Sequence, residues 1–302
     1  MVFKLVLKFH TFIIVNGFKW LNELSDEYGL ECGVRQGGLT SPSLFNLYVN
    51  QLIDELSSTG VGCSIDGHIV NSISYADDMV LLSPSISALR RLLRTCEEYS
   101  KLHGLLYNVK KSELVIFHPR SRKVTTMPPV LLNGVGLARA KQFKYLGHVV
   151  TEDLKDDSDI ERERRALAVR CNMLARRFAR SSIEVKITLF KAFCQTLYTC
   201  NLWVNYTQRA FNALRVQYNN AFRVLLGLPR YCSASAMFAY AHTEGFGAVI
   251  RKRIASLMRR VRGSHNTILR VISEKTDCPI LGHWVRTHAQ VPGVPGGGRY
   301  LN

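Results

Sequence analysis

Apolar side chains recur at Leu44, Phe45, Tyr48, Val49, Leu52, Ile53 and Leu56, the spacing of one face of an α-helix. Ser41 and Pro42 stand just ahead, an N-cap and first-turn pair that predicts where this helix begins. A second stripe, Ile86, Leu89, Leu92, Leu93, Cys96 and Tyr99, opposes Arg90, Arg91, Arg94, Glu98 and Lys101 and stops at Gly104. Strand patterns surround the two helices. Residues 18–33 read as two short strands about a Ser25-Asp26 turn. "CSIDGHIVNSISY" reads as strands on either side of Asp66-Gly67, and "NSISYADDMVLLSP" as a further hairpin. "LLYNVKKSELVIF" returns as a strand, and "VLLNGVGL" with "FKYLGHVV" forms a small β unit around Asn133-Gly134.

Beyond Thr151 the period becomes helical throughout. "LKDDSDIERERRALAVRCNMLARRFARS" opens on an acidic cap and continues as an amphipathic helix. Ile160, Leu167, Cys171, Leu174 and Phe178 face inward, while Arg164, Arg165, Arg176 and Arg177 face outward. Helical patterns follow over 183–206 and 208–226, the second stopped by Gly227 and Pro229, and a basic helix lies near "VIRKRIASLMRRVRG". The end of the chain, "QVPGVPGGGRYLN", has a disordered composition. The predicted class is α+β: an antiparallel sheet with helices on one face, followed by an all-α bundle.

Charge adds a partner. Lys and Arg total 40 against 23 Asp and Glu, a formal +17, which points to a polyanion and to nucleic acid ahead of an acidic membrane. The eight cysteines form no Cys-x-x-Cys pair, and several sit in helical apolar stripes as reduced core residues of an intracellular protein. Cys278, His283 and His288 have loosely ligand-like spacing but lack a fourth ligand. The opening "MVFKLVLKFHTFIIVNGF" is broken by Lys4, Lys8 and His10, with no small-residue cleavage site after it. No segment has the apolar length of a membrane span.

Asp77 and Asp78 are adjacent inside an apolar run. Their mutual repulsion and burial cost energy unless a positive charge compensates. On a strand they would point to opposite faces, whereas at a hairpin tip both can border one pocket. A bound magnesium ion would relieve their repulsion, since it takes hard oxygen ligands. An isolated pair also suits a solvated turn.

"YADD" at 75–78, preceded by "GVRQGGLTSPSLFNLY" at 33–48, resembles the reverse transcriptases of non-LTR (LINE-type) retrotransposons. Two motifs in this order and spacing are more specific than either alone. "GLLYNVKKSE" at 104–113 resembles the fourth palm motif, and "YLGHVV" at 145–150 the primer-grip hairpin. The resemblance runs to about residue 265.

It implies a partial right-hand polymerase: remnant strands over 1–34, palm motifs over 35–118, a small β unit with the primer grip over 119–155, a helical thumb over 156–265 and a disordered tail over 266–302. Asp77 and Asp78 would ligate magnesium, or manganese, for two-metal transfer of deoxynucleotides to a primer 3′ hydroxyl. Tyr75 would lie near the primer terminus or incoming nucleotide. Arg35, Gln36, Gly37 and Gly38 would border the nascent pair, although the glycines also suit a plain tight turn. Lys111 would meet the triphosphate, or be a solvated strand-end lysine. Tyr145, Leu146 and Gly147 would hold the primer, and Arg176 and Arg177 would contact phosphates.

The implied partners are an RNA template, a DNA primer and deoxynucleotides, with no membrane and no protein partner inferable. The implied location is nuclear, without a visible signal. The family also needs an aspartate on a palm strand upstream of the glycine loop. Asp26, Asp54 and Asp66 lie in turn or helix contexts, so the chain is expected to start after that motif and to lack the fingers. A noncatalytic nucleic-acid-binding remnant and an intron maturase are the alternative readings.

Overall fold

The computed structural model describes residues 39–117, 127–275 and 277–289, together with the backbone of strands at 2–10, 19–20 and 23–24. Two compact units divide the chain, Met1–Phe143 and Lys144–Asn302.

The first unit begins with β1 (Val2–His10), β2 (Lys19–Trp20) and β3 (Glu23–Leu24). Trp20 pairs with Glu23, so this hairpin closes ahead of the expected Ser25-Asp26 turn, which lies outside the described residues. Then comes α1 (Ser41–Ser58), with Thr40 rather than Ser41 at the N-cap position and proline in the first turn. Two hairpins follow, β4 (Cys63–Ile65) with β5 (His68–Val70), and β6 (Ser72–Tyr75) with β7 (Asp78–Ser83). α2 (Ile86–Leu102) is capped by Ser85, whose side chain accepts the Ala88 N–H. The returning segment is not one strand. β8 (Leu106–Tyr107) and β9 (Glu113–Phe117) are separated by a 3-10 turn at Val109–Lys111, where the Asn108 side chain accepts the Lys111 N–H at 3.2 Å. β10 (Leu131–Leu132), β11 (Val135–Gly136) and β12 (Ala138–Arg139) complete the unit.

Its main sheet has the order β12-β9-β1-β7-β6, with β8 also on β1. All these pairings are antiparallel except β12 with β9. Val49, Leu52 and Leu56 of α1 share one core with Leu89, Leu92, Leu93, Cys96 and Tyr99 of α2 and with Met79, Leu81, Leu114 and Ile116 of the sheet. The predicted stripe of α1 is buried only in its second half; Leu44 and Tyr48 are exposed. An 18-residue helix is about 27 Å long and outruns the core, which begins at Val49. The Tyr99 hydroxyl donates to the Tyr48 carbonyl at 2.5 Å and the Tyr48 hydroxyl to the His103 carbonyl, fastening the helices where apolar packing stops.

The hairpin of β13 (Gln142–Tyr145) and β14 (His148–Thr151) begins at the boundary, its first two residues counted with the first unit, and the second unit continues with α3 (Asp157–Arg177) and α4 (Ile183–Phe193). The helix expected over 183–206 stops at Phe193, and the segment after it leaves helical geometry, with Leu197 and Thr199 at positive φ, 33° and 69°. A 3-10 turn at Cys200–Leu202 leads to α5 (Gln208–Leu226), which ends on Gly227 at φ 68°. α6 (Ala234–Tyr240), α7 (Phe246–Arg262), α8 (Thr267–Glu274) and α9 (Pro279–Ala289) follow. Two helices thus stand within 266–302, where a disordered tail was expected. Leu281 and Trp284 of α9 join the core of α3, α5 and α7, and the Trp284 indole donates to the Asn201 carbonyl at 2.8 Å. These contacts supply the burial that local composition does not. The run "QVPGVPGGGRYLN" lies outside the described residues.

Cys96, Cys171, Cys194 and Cys200 are buried in the two cores, and burial pushes their thiols up, to about 12 for Cys96, Cys194 and Cys200 and about 11 for Cys171. His283 packs edge-on against Tyr206. The His288 side chain lies outside the described residues. No described helix is long and apolar enough to cross a membrane.

Candidate active site

The β6–β7 register pairs Tyr75 with Asp78, which leaves Ala76 and Asp77 as a two-residue turn. Ala76 takes φ 49°, a left-handed conformation that costs an alanine about 1–2 kcal/mol. Asp77 is exposed and Asp78 half-buried, so the two adjacent carboxylates sit at the tip as the hairpin reading requires. Tyr75 is 65% exposed. Behind the tip, buried Asn71 donates to the carbonyls of Leu56 at 2.6 Å and Val61 at 2.9 Å, and its own carbonyl accepts the Leu82 N–H at 2.8 Å. Asn71 therefore ties the root of the hairpin to the end of α1, a role invisible in the sequence.

Strand order brings a second motif to the same place. Along β1, Lys8 pairs with Asp78 of β7, Val6 with Glu113 of β9, and Phe9 with Tyr107 of β8. The Asp77-Asp78 turn and the 3-10 turn bearing exposed Lys110 and Lys111 therefore both lie at the C-terminal end of β1. Arg35, Gln36, Gly37 and Gly38 fall outside the described residues.

A divalent cation asks for hard oxygen donors. Two carboxylates, one exposed and one half-buried, suit one hard ion whose remaining ligands are water or phosphate. Among the described residues no group of three His, Cys, Asp or Glu could hold a metal. The strand beside β7, VFKLVLKFH, has no acidic residue. The turn thus offers two carboxylates; a two-ion site would need a further one.

In the second unit, Leu146 at φ 45° and Gly147 at φ 84° make the turn between β13 and β14, the paired positive φ of a tight hairpin turn. The Tyr198 hydroxyl donates to the Leu146 carbonyl at 2.9 Å. A Cβ on Gly147 would lie 2.7 Å from the Tyr198 ring, so glycine is required here by both backbone and neighbour. Tyr145 precedes the turn.

The acidic start of α3 does more than complement a helix dipole. Asp156 accepts the N–H groups of Val204 and Asn205, each at 2.8 Å, and Asp157 accepts the N–H of Thr207 at 2.8 Å. Fully buried Asp159 takes five donors: His148 Nδ1 at 3.0 Å, the Val149 N–H at 3.0 Å, Arg162 Nε at 2.7 Å, Thr199 Oγ1 at 2.6 Å and Trp203 Nε1 at 2.7 Å. Burial opposes its ionisation, but the hydrogen bonds from His148, Arg162, Thr199 and Trp203 outweigh it and hold the carboxyl well below the usual carboxylate range. Sequence reading missed this cluster, most of whose partners (Thr199, Trp203, Val204, Asn205 and Thr207) lie forty to fifty residues away.

Four of the six arginines of α3 are paired. Arg162 and Arg170 bond Glu163. Arg164 and Arg165 both bond Glu161, at 2.6 and 2.8 Å, so Arg164 is half-buried rather than outward. Arg176 and Arg177 are exposed and have no ion pair among the described residues. With Val169, Asn172 and Met173 they line a shallow groove of about 430 Å³.

Comparison with known proteins decides the family. The sequence model of "Reverse transcriptase (RNA-dependent DNA polymerase)" matches residues 3–150. Residues 3–150 belong to the reverse transcriptase family. The chain is 33% identical over 124 residues to a retrovirus-related Pol polyprotein from the type-1 retrotransposable element R2 of Popillia japonica, covering 38% of this chain and 17% of that protein. It is 21% identical over 252 residues to an RNA-directed DNA polymerase from the mobile element jockey of Drosophila funebris, covering 80% and 27%. A Pol polyprotein from a type-2 retrotransposable element of Drosophila melanogaster is 31% identical over 139 residues, covering 44% and 13%. These are non-LTR retrotransposon reverse transcriptases, a family of nucleotidyltransferases that engage template and primer. The chain spans about a quarter or less of their length.

Proposed function

We propose that this chain is the later palm and the thumb of a non-LTR retrotransposon reverse transcriptase, which holds an RNA template and a DNA primer for extension with deoxynucleotides. The observation that carries the reading is the convergence of the Asp77-Asp78 turn and the Lys111 turn on one end of β1, on a chain whose first 150 residues match the family.

Asp77 and Asp78 would hold a magnesium or manganese ion, which when bound neutralises charge on the transferring phosphate. In the transfer, the primer 3′ hydroxyl gives its proton to water as its oxygen bonds the α-phosphorus, and the α–β phosphoanhydride bond breaks so that pyrophosphate leaves. Lys111 stands where it neutralises pyrophosphate or gives it a proton. Tyr75 borders the primer terminus, and Arg35, Gln36, Gly37 and Gly38 border the nascent pair. The turn at Tyr145, Leu146 and Gly147 holds the primer strand. Arg176 and Arg177 meet phosphates, with Val169 and Met173 offering apolar contact between them. Such an activity on chromosomal DNA places the protein in the nucleus.

One observation favours a second reading, a nucleic-acid-binding chain without catalysis: the strand beside β7 carries no carboxylate. Extension of a DNA primer on an RNA template, with magnesium and deoxynucleotides, separates the two. Extension by the parent that disappears in Asp77→Ala, with duplex binding retained, supports polymerisation. Equal extension by parent and variant refutes the catalytic assignment, and binding without extension by the parent selects the second reading.

A further inference from the structure

The turn at Tyr145–Gly147 sits on a hairpin with two strands of four residues each, and an isolated two-stranded hairpin is marginal in water. Its position must therefore be imposed from outside. Two sets of bonds do this. The Tyr198 hydroxyl holds the Leu146 carbonyl at 2.9 Å. Asp159 holds the first two residues of the return strand, through His148 Nδ1 and the Val149 N–H, each at 3.0 Å.

Both anchors lead to one segment. Thr199 and Trp203 donate to the same Asp159 oxygen as His148. Arg162 bonds the other oxygen at 2.7 Å and reaches Thr199 Oγ1 at 3.1 Å. The segment that presents Tyr198 and Thr199 is itself strained, with Leu197 at φ 33° and Thr199 at φ 69°; such strain persists only where surrounding contacts over-determine it. An ionised carboxylate, an acceptor only, suits five converging donors. An asparagine of the same shape would turn an NH2 group toward some of them.

We propose that Asp159, with Tyr198, is a positioning latch for the primer-grip turn, which fixes the turn's place relative to α3 and the Leu197–Trp203 segment and so sets the surface that the turn offers to the primer strand. This rests on reading Tyr145–Gly147 as the primer grip.

Two measurements on the full chain test it. In hydrogen exchange, Asp159→Asn should speed the Val149 amide by about tenfold or more beyond any change at the core amides of α5 and α7. Equal acceleration throughout the second unit would make Asp159 a general stabiliser and overturn the latch. In the second, a DNA primer carrying photoreactive nucleotides along its 3′ half is annealed to RNA and cross-linked, and the sites are mapped. The parent should cross-link at residues 145–147, and Asp159→Asn and Tyr198→Phe should lose most of that product at unchanged duplex affinity. Tyr198→Phe keeps the ring over Gly147 and removes one hydroxyl, so it retains the fold if Asp159→Asn does not. Undiminished cross-linking in Tyr198→Phe and Asp159→Asn overturns the latch. A parent that binds duplex without cross-linking there overturns the primer-grip reading and the primer role of the latch, while the exchange result still reports the latch itself.

Discussion

Asp77 and Asp78 are neighbours in sequence but occupy different environments: Asp77 is exposed on a two-residue turn, and half-buried Asp78 starts β7 directly across from Tyr75. A pair kept for chemistry and a pair kept for folding respond differently to substitution. Asp77→Asn should change stability by no more than about 0.5 kcal/mol, measured by urea unfolding, while primer extension falls to background. A loss of stability without effect on extension would mark the residue as structural.

Asn71 fastens the same hairpin from behind. Asn71→Ala leaves the Leu56 and Val61 carbonyls without that donor in a buried site, and should cost about 1–3 kcal/mol. The check is a lower denaturation midpoint for the first unit, with the second unit's transition unmoved. Coincident shifts in both units would show coupling that the Asn71 contacts do not explain.

Gly147→Ala combines a Cβ placed 2.7 Å from the Tyr198 ring with φ at 84°. A cost of about 1–2 kcal/mol from the backbone alone is expected, with further loss as Tyr198 is displaced. A Gly147→Ala, Tyr198→Ala double variant should recover part of the loss, and strict additivity would show that the close approach is unimportant.

Replacing Arg176 and Arg177 together by alanine should weaken duplex binding across all sequences and lower the slope of log affinity against log salt by about 1–2. Arg164 and Arg165, already paired with Glu161, should give a smaller change when replaced. Fluorescence anisotropy over a salt series reads both slopes.

Asp159 has a folded-state pKa below its unfolded value near 3.8. Its contribution is thus fully present above that value and is lost as pH falls below it, because the unfolded chain then binds the proton more readily. Urea unfolding between about pH 3 and 6 should show a steep acid limb for the second unit, flatter in Asp159→Asn. Identical limbs would mean that other carboxylates carry the acid sensitivity.

Local chemistry sufficed wherever periodicity and turn residues dictate structure. The stripes of α1, α2, α3 and α5, the Asp66-Gly67 and Asn133-Gly134 turns and the placing of Asp77 at a hairpin tip all follow from side-chain spacing and from the φ preferences of a few residues. Tertiary contacts decided the rest, because long-range contacts set it. The segment after α4 leaves helix, and its Thr199 and Trp203 bond Asp159, while α9 is ordered by burying Leu281 and Trp284. Asp156, Asp157 and Asp159 look in sequence like charges for a helix dipole, but the fold turns them to donors of the 199–207 segment, forty to fifty residues on, and Asp159 also to His148, Val149 and Arg162. The meeting of the Asp77 and Lys111 turns is likewise a product of strand order, since β1 lies between their strands and no local pattern records which strands become neighbours.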